Sequence, residues 1–435
     1  MKRRMSSFIL MGIMALTALP LFGGGSKASE NANLRVSWWG GDARHEAMLK
    51  MIAAFETKNP GIHIEPEYSA FAQYRDKFTI QLTSGSAPDV MAVDQPWVSS
   101  IVKQGDFFLT LSDYGDIIDL KGFDSFLMDT YCVFDGKTKF IPGGVNGMGS
   151  LVDTKALAAF GFDVNAKTFS WSDMIALGEK VHNASSKHYL AVVDTKQAFL
   201  YYTHVYLRQL TGRPLINDDG TVGVSREELA QALELTRSMY EKQVFQPIEQ
   251  SGAYNNTMTQ NPLWLERGMF MLLGRTSSMT DASARLWKDG IAATTNFLLP
   301  RLENSKDSGI EVRPTVLFAA NKTVKPPNVA VQFLSFMFTS EEAALALGSN
   351  FSIPARESIR KFAAGRQGIL DPASLANVEY SLSNAGMTLN AWSSNPEVEA
   401  LFVEITEKTA YKQYKNMLDA ADEAIARIKT ITGAK

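Results

Sequence analysis

Residues Leu34–Tyr68 read LRVSWWGGDARHEAMLKMIAAFETKNPGIHIEPEY, and the periodicities of this stretch decide the fold. LRVSWW is a short apolar and aromatic run with strand character. Asp42 is placed to cap a helix after Gly40-Gly41, and Met48, Met51, Ile52 and Phe55 fall on one stripe of that helix. Asn59-Pro60-Gly61 stops it, and IHIEPEY is the next strand. The alternation continues through a helix from about Gln73 to Thr83, a turn at Ser84–Pro88 and a buried strand, DVMAV, at Asp89–Val93. Strand, helix, strand, helix, strand implies an α/β protein with a mostly parallel sheet covered by helices. Ligands of such sheets bind beyond the carboxyl ends of the strands, where this reading puts Trp39, Asp94 and Asn146.

A second alternation begins after IPGGVNGMGSLV. Ser170 with Asp173 and Ser225 with Glu228 are capping boxes that open helices, and LAVV near Leu190, MFMLL near Met269 and PTVLFAAN near Thr315 are strands. Helices follow over about 327–338 and 340–348, and the stretch from Pro396 is helical to near the end. The restart, in roughly 400 mature residues, predicts two lobes with a cleft between them. Gly143–Gly149 is the expected crossing, with its glycines supplying permissive torsions.

The first residues, MKRRMSSFILMGIMALTALPLFGGGSKA, combine a basic start, a short apolar run and a small-x-small site. They read as a signal peptide over 1–28, cleaved near Ala28, which implies a periplasmic protein. The apolar run is too short to span a bilayer of about 30 Å. The single cysteine, Cys132, leaves none at the leader's end for a lipid anchor. Removing Lys2, Arg3, Arg4 and Lys27 takes the net charge from −3 to −7, which opposes binding to nucleic acid or an anionic membrane. No Cys-x-x-Cys, His-Glu-x-x-His or phosphate-cradling loop occurs, so no metal or cofactor is expected.

The order of segments resembles that of family 1 extracellular solute-binding proteins, the sugar-binding components of bacterial ABC importers. The resemblance runs through WWGGDARH…QPWV (Trp38–Val98), LVDTKALAAF…ALGEKV (Leu151–Val181), GRPLINDDG…VFQP (Gly212–Pro247), WLERGMFMLLGRTSSM (Trp264–Met279) and VLFAANKTVKPP…SIPAR (Val316–Arg356). It implies the two-lobed periplasmic binding protein fold, with residues 29–145 in the first lobe, 146–298 in the second, 299–353 returning to the first and 354–435 as C-terminal helices on the second; it further implies a hinge that closes on a ligand, delivery to the membrane subunits of an ABC importer, a monomer, and no chemistry. The opening stretch is similar to the subgroup that binds plant-derived, often acidic, oligosaccharides.

Sugars present C–H faces to aromatic rings and hydroxyls to polar groups. Trp38 and Trp39 are therefore candidate platforms, one facing the cleft and the other the core. Gly41 would let a ligand approach the backbone. Asp42, Arg44 and His45 would bracket hydroxyls, with Arg44 suited to a uronate carboxylate. Asp94, Gln95 and Trp97 supply an acceptor, an amide and a ring in one loop. Tyr68, Asn146, Trp264, Arg275, Arg313 and Trp392 complete the candidate set. Tyr201-Tyr202 suggests a ferric-ion site but lies in an amphipathic helical stretch and is assigned to the core. Asn217-Asp-Asp-Gly is read as a turn. A secreted glycoside hydrolase, needing a carboxyl pair of defined spacing, is the main alternative. A receptor for iron or a polyamine is the third; a polyamine site would want several acids and few arginines, and the arginines near the cleft point the other way.

Overall fold

The computed structural model describes residues 31–255, 257–279, 292–295 and 299–434. The signal-peptide reading over 1–28 therefore lies outside the described residues. β1 (Ala32–Trp39) is followed by α1 (Asp42–Lys58), β2 (Ile62–Ser69), α2 (Phe71–Thr83), β3 (Val90–Val93) and α3 (Gln95–Gln104), the predicted alternation. The apolar stripe of α1 packs Met48, Met51, Ile52 and Phe55 against the sheet. Its N-cap is Gly41; Asp42 is exposed in the first turn, where its charge complements the helix dipole, so the cap expected of Asp42 is not made.

α4 (Ser125–Tyr131) and a hairpin of β4 (Val133–Phe134) and β5 (Lys137–Thr138) precede β6 (Ile141–Pro142). The chain then crosses through β7 (Val145–Asn146) to β8 (Met148–Asp153), β9 (Tyr189–Ala191), β10 (Met269–Arg275) and β11 (Ala292–Thr294). It returns through β12 (Arg313–Pro314) to β13 (Leu317–Ala320). The first sheet has the order β2-β1-β3-β13-β6 and the second β11-β8-β10-β9. β1 is parallel to β2 and β3, as predicted. β13 runs antiparallel to β3 and β6, and β8 antiparallel to β10 and β11. Four of the seven described pairings in these two sheets are therefore antiparallel, so the sheets are mixed rather than mostly parallel, and the reversals come at the strands that follow a crossing. Both predicted capping boxes are present, at Ser170–Asp173 and Ser225–Glu228.

Between the sheets three segments lie side by side. β7 pairs with β12, setting Asn146 opposite Arg313, and Val145 donates to the Ile353 carbonyl at 2.7 Å. The glycines here act by close approach rather than by torsion. Gly143, Gly144 and Gly147 all lie outside the left-handed region. A Cβ on Gly144 would stand 2.0 Å from the Phe351 carbonyl oxygen, and one on Gly147 2.3 Å from Ser381 Oγ. No side chain fits there. Residues 299–310, expected on the returning first lobe, are tied to the second: Arg301 bridges to Ser170, and Lys306 N–H donates to the Gln209 carbonyl. Arg356, expected on the second lobe, holds Asp119 of the first. These segments are polar loops, with no periodicity to assign them to a side.

Candidate ligand site between the lobes

Two features meet at the carboxyl ends of the first sheet. One is aromatic. Neighbouring strand residues point to opposite faces, and Trp38 and Trp39 do so. Trp38 is fully buried, donates its indole N–H to Nδ1 of His45 at 3.1 Å and lies beneath Tyr68 with ring centroids 5.0 Å apart. It belongs to the core, which corrects its place among the ligand candidates; accepting this bond leaves the proton of a neutral His45 on Nε2. Trp39, on the other face, keeps 9 % of its surface and joins Phe71, Tyr74 and Trp97, at centroid distances of 5.5, 5.3 and 5.7 Å. Trp97 is half-buried in the first turn of α3.

The other feature is charged. Asp94 is the N-cap residue of α3, and Gln95 opens that helix. Burial raises the Asp94 carboxyl above its usual range, against the pull of Arg313 and Arg275. Arg275 ends β10 of the second lobe and pairs with Glu311, which is 6 % exposed. Burial alone would raise Glu311, but the guanidinium groups of Arg275, Arg313 and Arg208 hold it below the ordinary carboxylate range. Arg313 sits in the hinge strand β12. Burial lowers its pKa and the like charge of Arg275 lowers it further. Its buried Nε has no hydrogen-bond partner. Two cations thus converge on one buried glutamate, bonded among the described residues to Arg275 alone, with Asp94 approaching from the opposite lobe. A buried, incompletely paired guanidinium is costly unless something else completes it.

Other predicted residues have different duties. Arg44 donates from Nε to the Asn350 carbonyl at 2.8 Å and from Nη1 to the Trp39 carbonyl at 3.1 Å, and lies over the Phe351 ring. It clamps backbone, and its stem fills the space above Gly40. Gly41 is open, with nothing near a Cβ position. Both ends of the Asn146 amide engage Ser277, at 2.9 and 3.0 Å. Trp264 packs among Leu151, Tyr189, Met258 and Leu272 inside the second lobe, so it does not line the cleft. Trp392 is half-buried in a turn that abuts α3 across the lobes and walls a narrow slot with Phe199, His204 and Ile216.

Three participants escaped the sequence reading. Tyr201, assigned to the core, is buried against Arg275 and takes a hydrogen bond from it. A π-turn at Phe199–Thr203 interrupts the helical stretch around it, a feature frequent at functional sites. Tyr131 reaches the Val312 carbonyl at 3.0 Å beside the same charges. Glu311 stands two residues from Arg313, and that same-face spacing inside an apolar run was the available signal. Cys132 is buried and its thiol pushed up, so it offers no thiolate. No group of metal-ligating side chains forms among the described residues.

A family model of bacterial extracellular solute-binding proteins matches residues 50–367. The chain belongs to that family. Among solved structures, this solute-binding protein is similar to a periplasmic solute-binding protein of Pectobacterium atrosepticum, at 24 % identity over 92 % of this chain and 99 % of the other, with a TM-score of 0.83. It is similar to a periplasmic oligogalacturonide-binding protein of Yersinia enterocolitica in complex with saturated digalacturonic acid, at 22 % identity over 92 % and 99 % of the two chains and a TM-score of 0.79. A de novo designed cysteine esterase shares the fold at 22 % identity, 93 % and 99 % coverage and a TM-score of 0.80. These likenesses establish the two-lobed periplasmic binding protein fold. Curated relatives from Brucella abortus and Brucella suis, described in general terms as binding proteins, match at 24 % identity over 45 % of this chain and 46 % of theirs. The match spans about half the length of those relatives.

Proposed function

We propose that this solute-binding protein captures an acidic, uronate-bearing oligosaccharide between its lobes in the periplasm and hands it, as a monomer and without chemistry, to the membrane subunits of an ABC importer. The observation that carries the reading is the half-buried pair Arg275 and Arg313 converging on the single buried Glu311, with the buried Arg313 Nε unpartnered. A ligand carboxylate completes that arrangement through the guanidinium fork. Trp39 and Trp97, beside Asp94, supply surfaces for the C–H faces of the sugar. The digalacturonic acid named for the Yersinia enterocolitica structure is a ligand of the same chemistry.

Thermal-shift measurements on the mature chain test this, because a ligand that binds only the folded state raises the melting temperature. Oligogalacturonides should raise it and neutral chains of equal length should not. Equal shifts with both sets would remove the acidic preference, and release of shortened sugars that survives repurification would replace the reading with a hydrolase. Mass spectrometry of the exported protein should find it beginning at Ser29.

A further inference from the structure

Among the described residues Phe71 is the one phenylalanine that is exposed, at 44 %, in a chain that otherwise keeps this side chain buried or half-buried. It is the first residue of α2, and its ring is stacked on Trp97, with centroids 5.5 Å apart and planes 29° apart, while Trp39 meets it edge-on. Three residues earlier, Tyr68 near the end of β2 is 45 % exposed. Its ring rests on Trp38, also at 29°, and on His45 at 4.4 Å. Each exposed ring has a buried or half-buried tryptophan against it and keeps nearly half of its surface open to solvent. Water is a poor neighbour for such rings, and here two of them stand within four residues at the mouth of the ligand site. They flank the β2–α2 turn at the carboxyl end of the sheet, Tyr68 on the Trp38 face and Phe71 on the Trp39 face, and Phe71 is continuous through Trp97 with the Asp94 turn.

We infer that the β2–α2 turn is an outer subsite for a sugar chain, in which Phe71 and Tyr68 each take one pyranose face of an oligosaccharide whose acidic unit is held further in at Arg313. The inference rests on the acidic-oligosaccharide reading for its inner end, and adds that the ligand is longer than the inner site alone would hold. The supporting tryptophans immobilise the platforms before binding, so little side-chain entropy is lost when a sugar arrives. Stacking is indifferent to substituents on the ring edge, so this subsite selects length rather than charge.

Calorimetry on the mature chain with oligogalacturonides from dimer to pentamer, and neutral xylo-oligosaccharides of matching length, tests the subsite. Wild-type affinity should rise from dimer to tetramer. Phe71→Ala and Tyr68→Ala should each lower tetramer affinity by about tenfold while leaving the dimer nearly unchanged. Phe71→Tyr should restore the tetramer. Wild-type affinity that is flat with length overturns the subsite, and so does equal weakening of dimer and tetramer by Phe71→Ala, which would make the ring a prop for Trp97. If neutral chains bind with the same length dependence and acidic ones are not preferred, the subsite stands and the acidic reading falls. If neither set binds, both fall.

Discussion

Arg313 sits where a small change should read out most cleanly. Its Nε is buried without a partner, and Arg275 repels it. Arg313→Ala should cost acidic ligands about 2–5 kcal/mol, because the ligand carboxylate loses its partner inside a closed site. Neutral chains should lose much less; calorimetry on both sets decides it. Arg44→Ala, which removes a backbone clamp, should by contrast weaken the two sets alike. Trp38→Ala is a stability experiment. It empties a fully buried site and leaves His45 without its donor, so denaturant unfolding should show a loss of about 3–5 kcal/mol. The candidate list shows what a sequence reveals at this scale. Residue type marked Asp94, Trp97, Arg275 and Arg313 as polar or aromatic groups at strand ends, and the structure brings these together. It could not separate Trp38 from Trp39, because alternation says that they face opposite ways but not which way is in. Nor could it foresee Arg44 spent on main-chain carbonyls, since those acceptors come from Trp39 and from Asn350, more than three hundred residues away.

At the scale of elements, the helical stretch Thr195–Thr211 is the instructive one. Its amphipathic pattern reads as an ordinary core helix, and it does pack as one, but the π-turn at Phe199–Thr203 brings Tyr201 against Arg275. Hydrophobic periodicity cannot register a single wide turn. The same stretch carries His204, 6 % exposed, whose pKa is held down to about 4 by burial and by Arg208. The unfolded chain takes up this proton near the ordinary value of 6.5, before the folded one does. Its contribution is therefore complete above pH 6.5 and lost as pH falls towards 4, by up to about 3 kcal/mol. Unfolding free energies measured across that window should fall less steeply in His204→Gln than in wild type. Glu311 acts at lower pH. Its folded pKa is depressed, so its contribution is present above 4.5 and lost as pH drops below it, and Glu311→Gln should flatten that limb. The capping boxes and the β1–α1–β2 unit were legible because each is written in consecutive residues. The β4–β5 hairpin, two residues per strand, was too short to show a period.

For the whole molecule, the two-lobed arrangement follows from two separate strand–helix alternations, and the lobe edges do not, because polar loops such as 299–310 choose a side by hydrogen bonds to distant partners. The expected large-scale behaviour is closure about the segments that join the lobes. Small-angle scattering should show a smaller radius of gyration at saturating ligand, and an unchanged profile would count against hinge closure. Gly144→Ala offers a sharper probe. With a Cβ 2.0 Å from the Phe351 carbonyl oxygen, the substitution must push the neighbouring segments apart. It should alter compaction on binding while leaving the residues of the ligand site in place. The packed glycines have a mechanical consequence. Strands held this tightly, with Val145 bonded to Ile353 and Asn146 registered against Arg313, behave as a pin bearing rather than a length of rope. A pin has one axis. On the proposed function, sugars of different length would then be presented to the membrane in a single pose, and the importer would need to recognise the posture of its carrier without inspecting the cargo.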